Sequence, residues 1–320
     1  MPFSGTTRKT SKFIPEWIRN ESSREKRMPN DFNQQIIEEF RANAGEVGGP
    51  FEGARLILLT TTGARSGERH TTPVAYYADG DGDVLVIASA AGAPKHPDWF
   101  HNLVAHPQVT VESGVFTYEA TAEVLEGTAR DDAFARAVEA DPGWADYQAR
   151  TSRVIPVVAL HQNPSDGPPN VGASSMGQYV RLIHDAFRRE LALIRKEIGN
   201  TGPTLGAQLR INCLTFCQGL HNHHTGEDIA MFPFLADSHP DLAPVIDRLR
   251  EEHERIAELT AELKQVIGAD PAVPVDPRHV REEVERLTTA LEAHLTYEEE
   301  QLIPVLDAPA KSAGSAGSAH

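Results

Sequence analysis

The sequence predicts an α+β barrel followed by an all-α, up-down four-helix bundle, and three observations predict it. Apolar residues alternate with a period near two as far as residue 160, and from residue 176 the period becomes about 3.6. Between the two textures lies His-Gln-Asn-Pro-Ser-Asp-Gly-Pro-Pro-Asn-Val-Gly-Ala-Ser-Ser at 161–175, a run of turn formers with little to bury. The chain has 320 residues, 40% hydrophobic and 24% charged, which is enough for two separate cores.

Residues 1–27 carry Arg8, Lys9, Lys12, Arg19, Arg24, Lys26 and Arg27 against three acids, with no apolar core of signal-peptide type. They are expected to be a disordered basic tail, with Met28 as an alternative start. The barrel domain is then 28–161. Residues 56–62, 71–77 and 84–88 are β-branched or apolar runs separated by Gly-Ala-Arg-Ser-Gly and Asp-Gly-Asp-Gly-Asp, the composition of antiparallel hairpins. Further strands are expected at 109–112, 116–125 and 154–160, with a helix at 130–139. Residues 162–175 form the linker.

The bundle, 176–307, shows four apolar stripes at alternating spacings of four and three. The first runs Val180, His184, Phe187, Leu191, Ile194, Ile198, and the second Leu209, Cys213, Phe216, Leu220, His223, Glu227. The third is Leu242, Ile246, Leu249, His253, Ile256, Thr260, Leu263, and the fourth Val280, Val284, Leu287, Leu291, His294, Glu298, Leu302. Gly199–Gly202 and Pro271–Pro277 act as breakers, so neighbouring helices should be antiparallel. Residues 308–320 are expected to be a second disordered tail.

Net charge is −16, with the acid excess shared about equally by residues 28–163 and 164–320, which argues against a nucleic-acid partner. Two cysteines, Cys213 and Cys217, are too few for a disulfide framework and suit a reducing cytoplasm. Both are read as core residues. No apolar run approaches a membrane span, and no membrane contact is expected, even at residues 13–18.

Each stripe of the bundle holds a histidine, and two of them add a glutamate one turn later, His223–Glu227 and His294–Glu298. Glu-Asp-Ile-Ala-Met-Phe-Pro follows the first pair and Glu-Glu-Glu-Gln-Leu-Ile-Pro the second, so these helices look like repeats. Imidazoles and carboxylates buried without lysine or arginine partners are costly unless a cation joins them. Mixed nitrogen and oxygen donors suit iron, manganese or zinc, and two glutamates between pairs of histidines describe a two-metal site. The constellation resembles the hemerythrin-like, HHE cation-binding family. That resemblance implies two iron ions held by His184, His223, Glu227, His253, His294 and Glu298, with both glutamates bridging. One position departs from the oxygen carriers of the family: the residues four before and after His253 are Leu249 and Ala257, which leaves a coordination position open or filled by water. His221, His224, His239 and His279 lie off the stripes or in loops and are expected to be solvated, with His221 or His224 as an outer neighbour of the metal site.

In the barrel, Thr-Thr-Gly-Ala-Arg-Ser-Gly-Glu-Arg at 61–69 gathers backbone N–H groups, hydroxyls and two guanidinium groups on one hairpin loop. Such a loop is a plain turn or a seat for phosphate or carboxylate. Downstream, residues 88–103 combine small residues with Trp99, Phe100 and Asn102, suited to a wide planar ligand. Together with Leu59-Thr60 before the loop, Gly92-Ala93-Pro94-Lys95-His96-Pro97 and the closing 151–158 segment, this resembles the deazaflavin (F420)-dependent nitroreductase family, whose fold is a split β-barrel. The resemblance implies that Arg65, Ser66 and Arg69 hold the phosphate and glutamate tail of F420, while Pro73, Val74, Ala88, Ser89, Trp99 and Asn102 frame the ring. A lysine found in some members near Ala90–Ala91 is missing, and FMN is the alternative cofactor. Tyr147 is either a substrate contact or a surface tyrosine, and no catalytic residue is assigned.

These expectations combine into an F420-dependent oxidoreductase of the quinone or nitro-compound reductase type, fused to a di-iron domain that acts on or senses O2, peroxide or NO. The alternative is a non-enzymatic iron- or oxygen-binding sensor that uses the barrel as a scaffold. A homodimer through the barrel is also expected.

Overall fold

The computed structural model describes residues 29–80, 83–164, 170–201, 205–268 and 275–308. Apart from Ala308, the two tails expected at 1–27 and 308–320 lie outside the described residues. After helix α1 (Pro29–Ala42) come β1 (Leu56–Thr62), β2 (Arg69–Ala78) and β3 (Val84–Ile87). Helix α2 (Asp98–Ala105) leads to β4 (Gln108–Ser113) and β5 (Phe116–Val124), and α3 (Gly127–Ala140) and α4 (Gly143–Ala149) precede β6 (Val157–Gln162). The strands close into a barrel in the order β1-β2-β3-β6-β5-β4, every pairing antiparallel.

Alternation decides which residues meet inside. Ile57 and Leu59 of β1 join Val86, Val109, Val111, Ala120, Val158 and Leu160 in the barrel interior. Their neighbours Leu56 and Leu58 point outward and are covered by Ile36, Ile37 and Phe40 of α1. β1 is therefore buried on both faces, which explains an unbroken Leu-Ile-Leu-Leu run where a half-exposed strand would alternate. On another outer face, Leu85, Ile87, Val157 and Ala159 pack against Phe134, Trp144 and Tyr147.

β6 begins three residues later than the apolar pattern suggests. Pro156 has no N–H for a ladder, and the residues before it are bound to α4 instead. Gln148 donates through Nε2 to Arg153 O at 2.7 Å and accepts at Oε1 from Ile155 N at 3.0 Å. In the expected linker, Thr117 N donates to Asn170 O at 2.8 Å and Val171 is buried, so the segment leaving the barrel is tied to its surface.

The bundle consists of α5 (Met176–Asn200), α6 (Ala207–Gly226), α8 (Ala243–Ile267) and α9 (Pro277–Leu306). Ser175 Oγ caps α5 by accepting from Gln178 N at 3.0 Å, and Asp276 caps α9 by accepting from Arg278 N at 2.9 Å. Helix α6 passes directly into a π-helical turn at Glu227–Met231 and then α7 (Phe232–Ser238). Pro233 accounts for the widened turn: it lacks an N–H, and in regular α-helix its ring would press on the carbonyl of Ile229. The same proline offset after Glu298, at Pro304, falls near the end of α9, which stays α-helical. Leu191, Ile194, Leu220, Ile256, Leu263, Val284, Leu287 and Leu291 fill the bundle core with Cys213 and Cys217.

A polar seam joins the domains. The Arg55 guanidinium bonds Glu190 at 2.6 Å and also Glu197, both on α5. Arg189 donates to Ala44 O, Gln208 donates to Ala78 O at 2.8 Å, and Ala207 N donates to Glu139 at 3.0 Å. Burial would disfavour the charge on Arg55, but the two glutamates outweigh it and hold the guanidinium firmly charged.

Candidate functional site

Two sites are present, and they are built in opposite ways. In the bundle, the four stripes bring His184, His223, Glu227, His253, His294 and Glu298 together at one level, all buried or nearly so. Glu227 spans between two histidines: Oε1 is 3.2 Å from His223 Nε2, and Oε2 is 3.5 Å from His253 Nε2. Glu298 Oε2 lies 3.5 Å from both His184 Nε2 and His294 Nε2. Donors around one first-row metal sit about 2.1 Å from it, so neighbouring donors lie about 3 Å apart, close to these separations.

On three of the four histidines the outer ring nitrogen is already occupied. His184 Nδ1 meets Glu299 at 2.9 Å, His253 Nδ1 meets Asp228 at 3.1 Å and His294 Nδ1 meets Glu252 at 3.1 Å. Such carboxylate partners fix each ring with Nε2 facing inward. Facing inward, the Nε2 atoms of His184, His223, His253 and His294 are buried without a hydrogen-bond partner, as are Glu227 Oε2 and both oxygens of Glu298. Native proteins rarely leave so many buried polar atoms unpaired in one place.

Electrostatics agrees. Burial, with Glu298 alongside, pushes the Glu227 carboxyl well above the usual range, and burial also raises Glu298 although His184 opposes it. Burial, reinforced by the other imidazoles, drives His223 well down; burial brings His253 and His294 to about 4. A cluster that resists charge of either sign is suited to neutral imidazoles around a dication, and the cation would stabilise both carboxylates. The residues present fit a metal pair.

One residue corrects the sequence reading. His224 is not solvated: it is 6% exposed, its Nε2 has no partner, and it groups with His253 and His294 with ligand atoms within 4.8 Å of one another. His184, His223 and Glu227 form the companion group. His221 and His279 are exposed, as expected. Cys213 and Cys217 are both buried and their thiols are raised by that burial, Cys217 to about 11, which makes them inert core residues.

The barrel site is a surface feature. Thr62 pairs with Arg69 to close the β1–β2 hairpin, and between them the chain turns through Gly67 at φ 70°, where a side chain would be strained. Gly63 N donates to Glu68 O at 2.7 Å and Gly67 N to Gly63 O at 2.9 Å, which sets Arg65, Ser66 and Arg69 exposed on one turn. Arg69 is steadied by Thr110 on β4. Asn102, 9% exposed on α2, pins this turn by accepting from Ala64 N at 3.0 Å and donating to Thr61 Oγ1 at 3.1 Å.

The β2–β3 ladder runs from Ala78–Val84 to Tyr76–Val86 and stops just short of Ala88 and Ser89. Ala88, Trp99 and Val74 share one apolar cluster. After Ser89 the backbone takes positive φ at Ala90, Ala91 and Gly92 (47°, 54° and 80°). A Cβ on Gly92 would lie 2.8 Å from Tyr147 O, so α4 supports this turn directly. Tyr147 itself is 6% exposed and packed with Trp144, which overturns the surface-tyrosine reading and places it beneath the turn.

Sequence reasoning assigned no role to Arg153, yet it organises the turn. Its guanidinium donates to Ala88 O at 3.1 Å, Ser89 O at 2.5 Å and Ala93 O at 2.9 Å, and lies 3.0 Å from His96 Nδ1. Burial first, then Arg153 and His101, lowers His96, so that the ring stays neutral beside the guanidinium. A cationic rim and a floor of small residues fit a flat cofactor with an anionic tail.

An antiparallel barrel with such a cradle, joined to a bundle lined by metal donors, defines a two-domain protein with one site suited to a flat anionic cofactor and one suited to metal ions. The comparisons make this specific. Residues 33–162 match the sequence model of the F420H(2)-dependent quinone reductases, and the chain belongs to that family through this domain. Residues 176–314 match the hemerythrin HHE cation binding domain. An F420H(2)-dependent quinone reductase of Mycobacterium tuberculosis is 37% identical over 125 residues, covering 38% of this chain and 83% of the relative. A second protein of that organism named for the same activity is 31% identical over 104 residues, 32% of this chain and 87% of its own. A solved F420-H2 dependent reductase is 40% identical and covers 33% of this chain and 94% of its own, with a TM-score of 0.31. No helix among the described residues is long and apolar enough to cross a membrane.

Proposed function

We propose that this chain is an F420-dependent quinone reductase whose hemerythrin-like domain carries two irons and takes up O2, peroxide or NO. The reductase half is supported by the relatives' named activity together with a cradle of the right chemistry. When bound, the reduced deazaflavin supplies a hydride, which with a proton from solvent converts a quinone to a quinol. Arg65, Ser66 and Arg69 meet the anionic tail, and Pro73, Val74, Ala88 and Ser89 leave room for the ring to approach closely. Trp99 supplies an apolar wall that keeps water from the ring, and Asn102 holds the arginine turn in place. Arg153 and His96 fix the backbone on which the ring rests.

The observation that carries the metal half is the set of inward-facing imidazole nitrogens left without partners around two carboxylates. Glu227 and Glu298 would bridge the two ions, with His184 and His223 holding one and His253 and His294 the other.

Steady-state oxidation of reduced F420 by menadione tests the reductase half: turnover by the wild type, with a raised KM for F420 in Arg65→Ala, supports it. Binding of F420 without turnover, with menadione or a nitro compound, would favour a sensor built on a barrel scaffold.

A further inference from the structure

We infer that His224 is a metal ligand, supplying to the His253–His294 ion the third nitrogen that α8 lacks. The inference rests on the two-metal reading proposed above and deepens it. The gap on α8 is plain: one turn either side of His253 stand Leu249 and Ala257, and Leu249 is fully buried among Phe232, Leu235 and Ile246. No second donor comes from that helix. His224 approaches from α6 instead, its ring stacked on His253 with centroids 4.1 Å apart and set edge-on to His294 at 5.1 Å. His253 and His294 are themselves 4.8 Å apart. Imidazoles at right angles around a single ion have centroids roughly 4.5 Å apart, given metal–nitrogen distances near 2.1 Å.

Consecutive residues on a helix point about 100° apart, and in a four-helix bundle that angle separates two neighbouring helices. His223 accordingly faces His184 on α5, at 5.3 Å between centroids, while His224 faces His253 on α8. Its Nε2 is buried with no hydrogen-bond partner, as are the inward Nε2 atoms of His253 and His294 beside it. With the two glutamates bridging, the His253–His294 ion gains three nitrogens and the His184–His223 ion keeps two. The pair is asymmetric, and an external ligand should enter at the two-histidine ion, where fewer positions are filled.

Mössbauer spectra of the full chain reconstituted with 57Fe test this, with azide as the external ligand. The diferric wild type should give two unlike doublets of equal area, and azide should shift one of them. His224→Gln should alter the other doublet and lose that iron to a chelator at least about tenfold faster, whereas His221→Gln changes neither. A single doublet in the wild type, or His224→Gln spectra matching wild type, overturns the assignment. Should His224→Gln fail to fold by circular dichroism, the wild-type spectrum with and without azide decides alone. A wild type that takes up no iron at all contradicts the two-metal reading itself, a result distinct from two irons that ignore His224.

Discussion

The metal cluster and the cofactor cradle teach different lessons because one is made of side chains on rigid helices and the other of backbone on a surface turn. In the bundle, buried nitrogen and oxygen atoms have no partners, so the protein alone leaves the site energetically incomplete. In the barrel, the arginine turn is exposed and its supporting groups are already paired: Asn102 with Ala64 and Thr61, Arg153 with three carbonyls. The first site should thus be strongly coupled to folding through its metal, and the second hardly coupled at all.

The largest effect that can break this contrast lies at Glu298. In metal-free protein, Glu298→Leu removes a buried, unpartnered carboxyl and should stabilise the bundle by about 1–3 kcal/mol. Loaded with iron, the order should reverse, since the wild type gains about 4 kcal/mol at metal concentrations a thousandfold above Kd. Thermal unfolding of both proteins, each with and without iron, reads the reversal. A variant less stable than wild type in both states would mean that the carboxyl is satisfied without metal.

At the seam, Arg55→Met leaves Glu190 and Glu197 without their cation. Both glutamates are part-exposed, so the expected cost is about 2–3 kcal/mol, below that of a fully buried pair. Denaturant unfolding should show the barrel and bundle separating into two transitions; an unchanged single transition would show that the seam contributes little.

A smaller effect is expected in the cradle. Asn102→Ala removes two hydrogen bonds to the arginine turn and should cost about 1–2 kcal/mol while raising the Kd for F420 several-fold. Isothermal titration with F420 checks it, and unaltered binding would mean the turn keeps its shape unaided.

The smallest effect is a pH dependence confined to the barrel. His161 bonds Asp83 at 2.6 Å and Glu123 at 3.0 Å, and the Asp83 hydrogen bond, against some burial, raises its pKa above 6.5. A raised histidine stabilises fully below its unfolded value, and that stabilisation is lost as pH rises through the folded one. The melting temperature of wild type relative to His161→Gln should therefore fall across that window, and a difference independent of pH would contradict the pairing.

Much of this was legible in the sequence, for a physical reason in each case. Helical periodicity places His184, His223, Glu227, His253, His294 and Glu298 on inward faces, and the structure brings those faces together. His224 escaped because a stripe reading credits one face per helix, whereas α6 has a neighbour on either side. The tandem His223-His224, set against the empty α8 positions, was the available signal. In the barrel, β1 was legible as a continuous apolar run. Arg153 was not, because its partners lie about 60 residues away and are backbone carbonyls, which leave no mark on sequence pattern. Helices α1, α2 and α4 also went unassigned, the last two being only eight and seven residues long.

The most direct test of the whole account is a metal assay with a visible spectrum, recorded on wild type and on Glu298→Ala. About two irons per chain, with ferric bands in the wild type that disappear in the variant, is the result expected of a bridged pair. A wild-type protein still free of metal after anaerobic reconstitution with iron would contradict the metal centre and leave the barrel as the sole carrier of function.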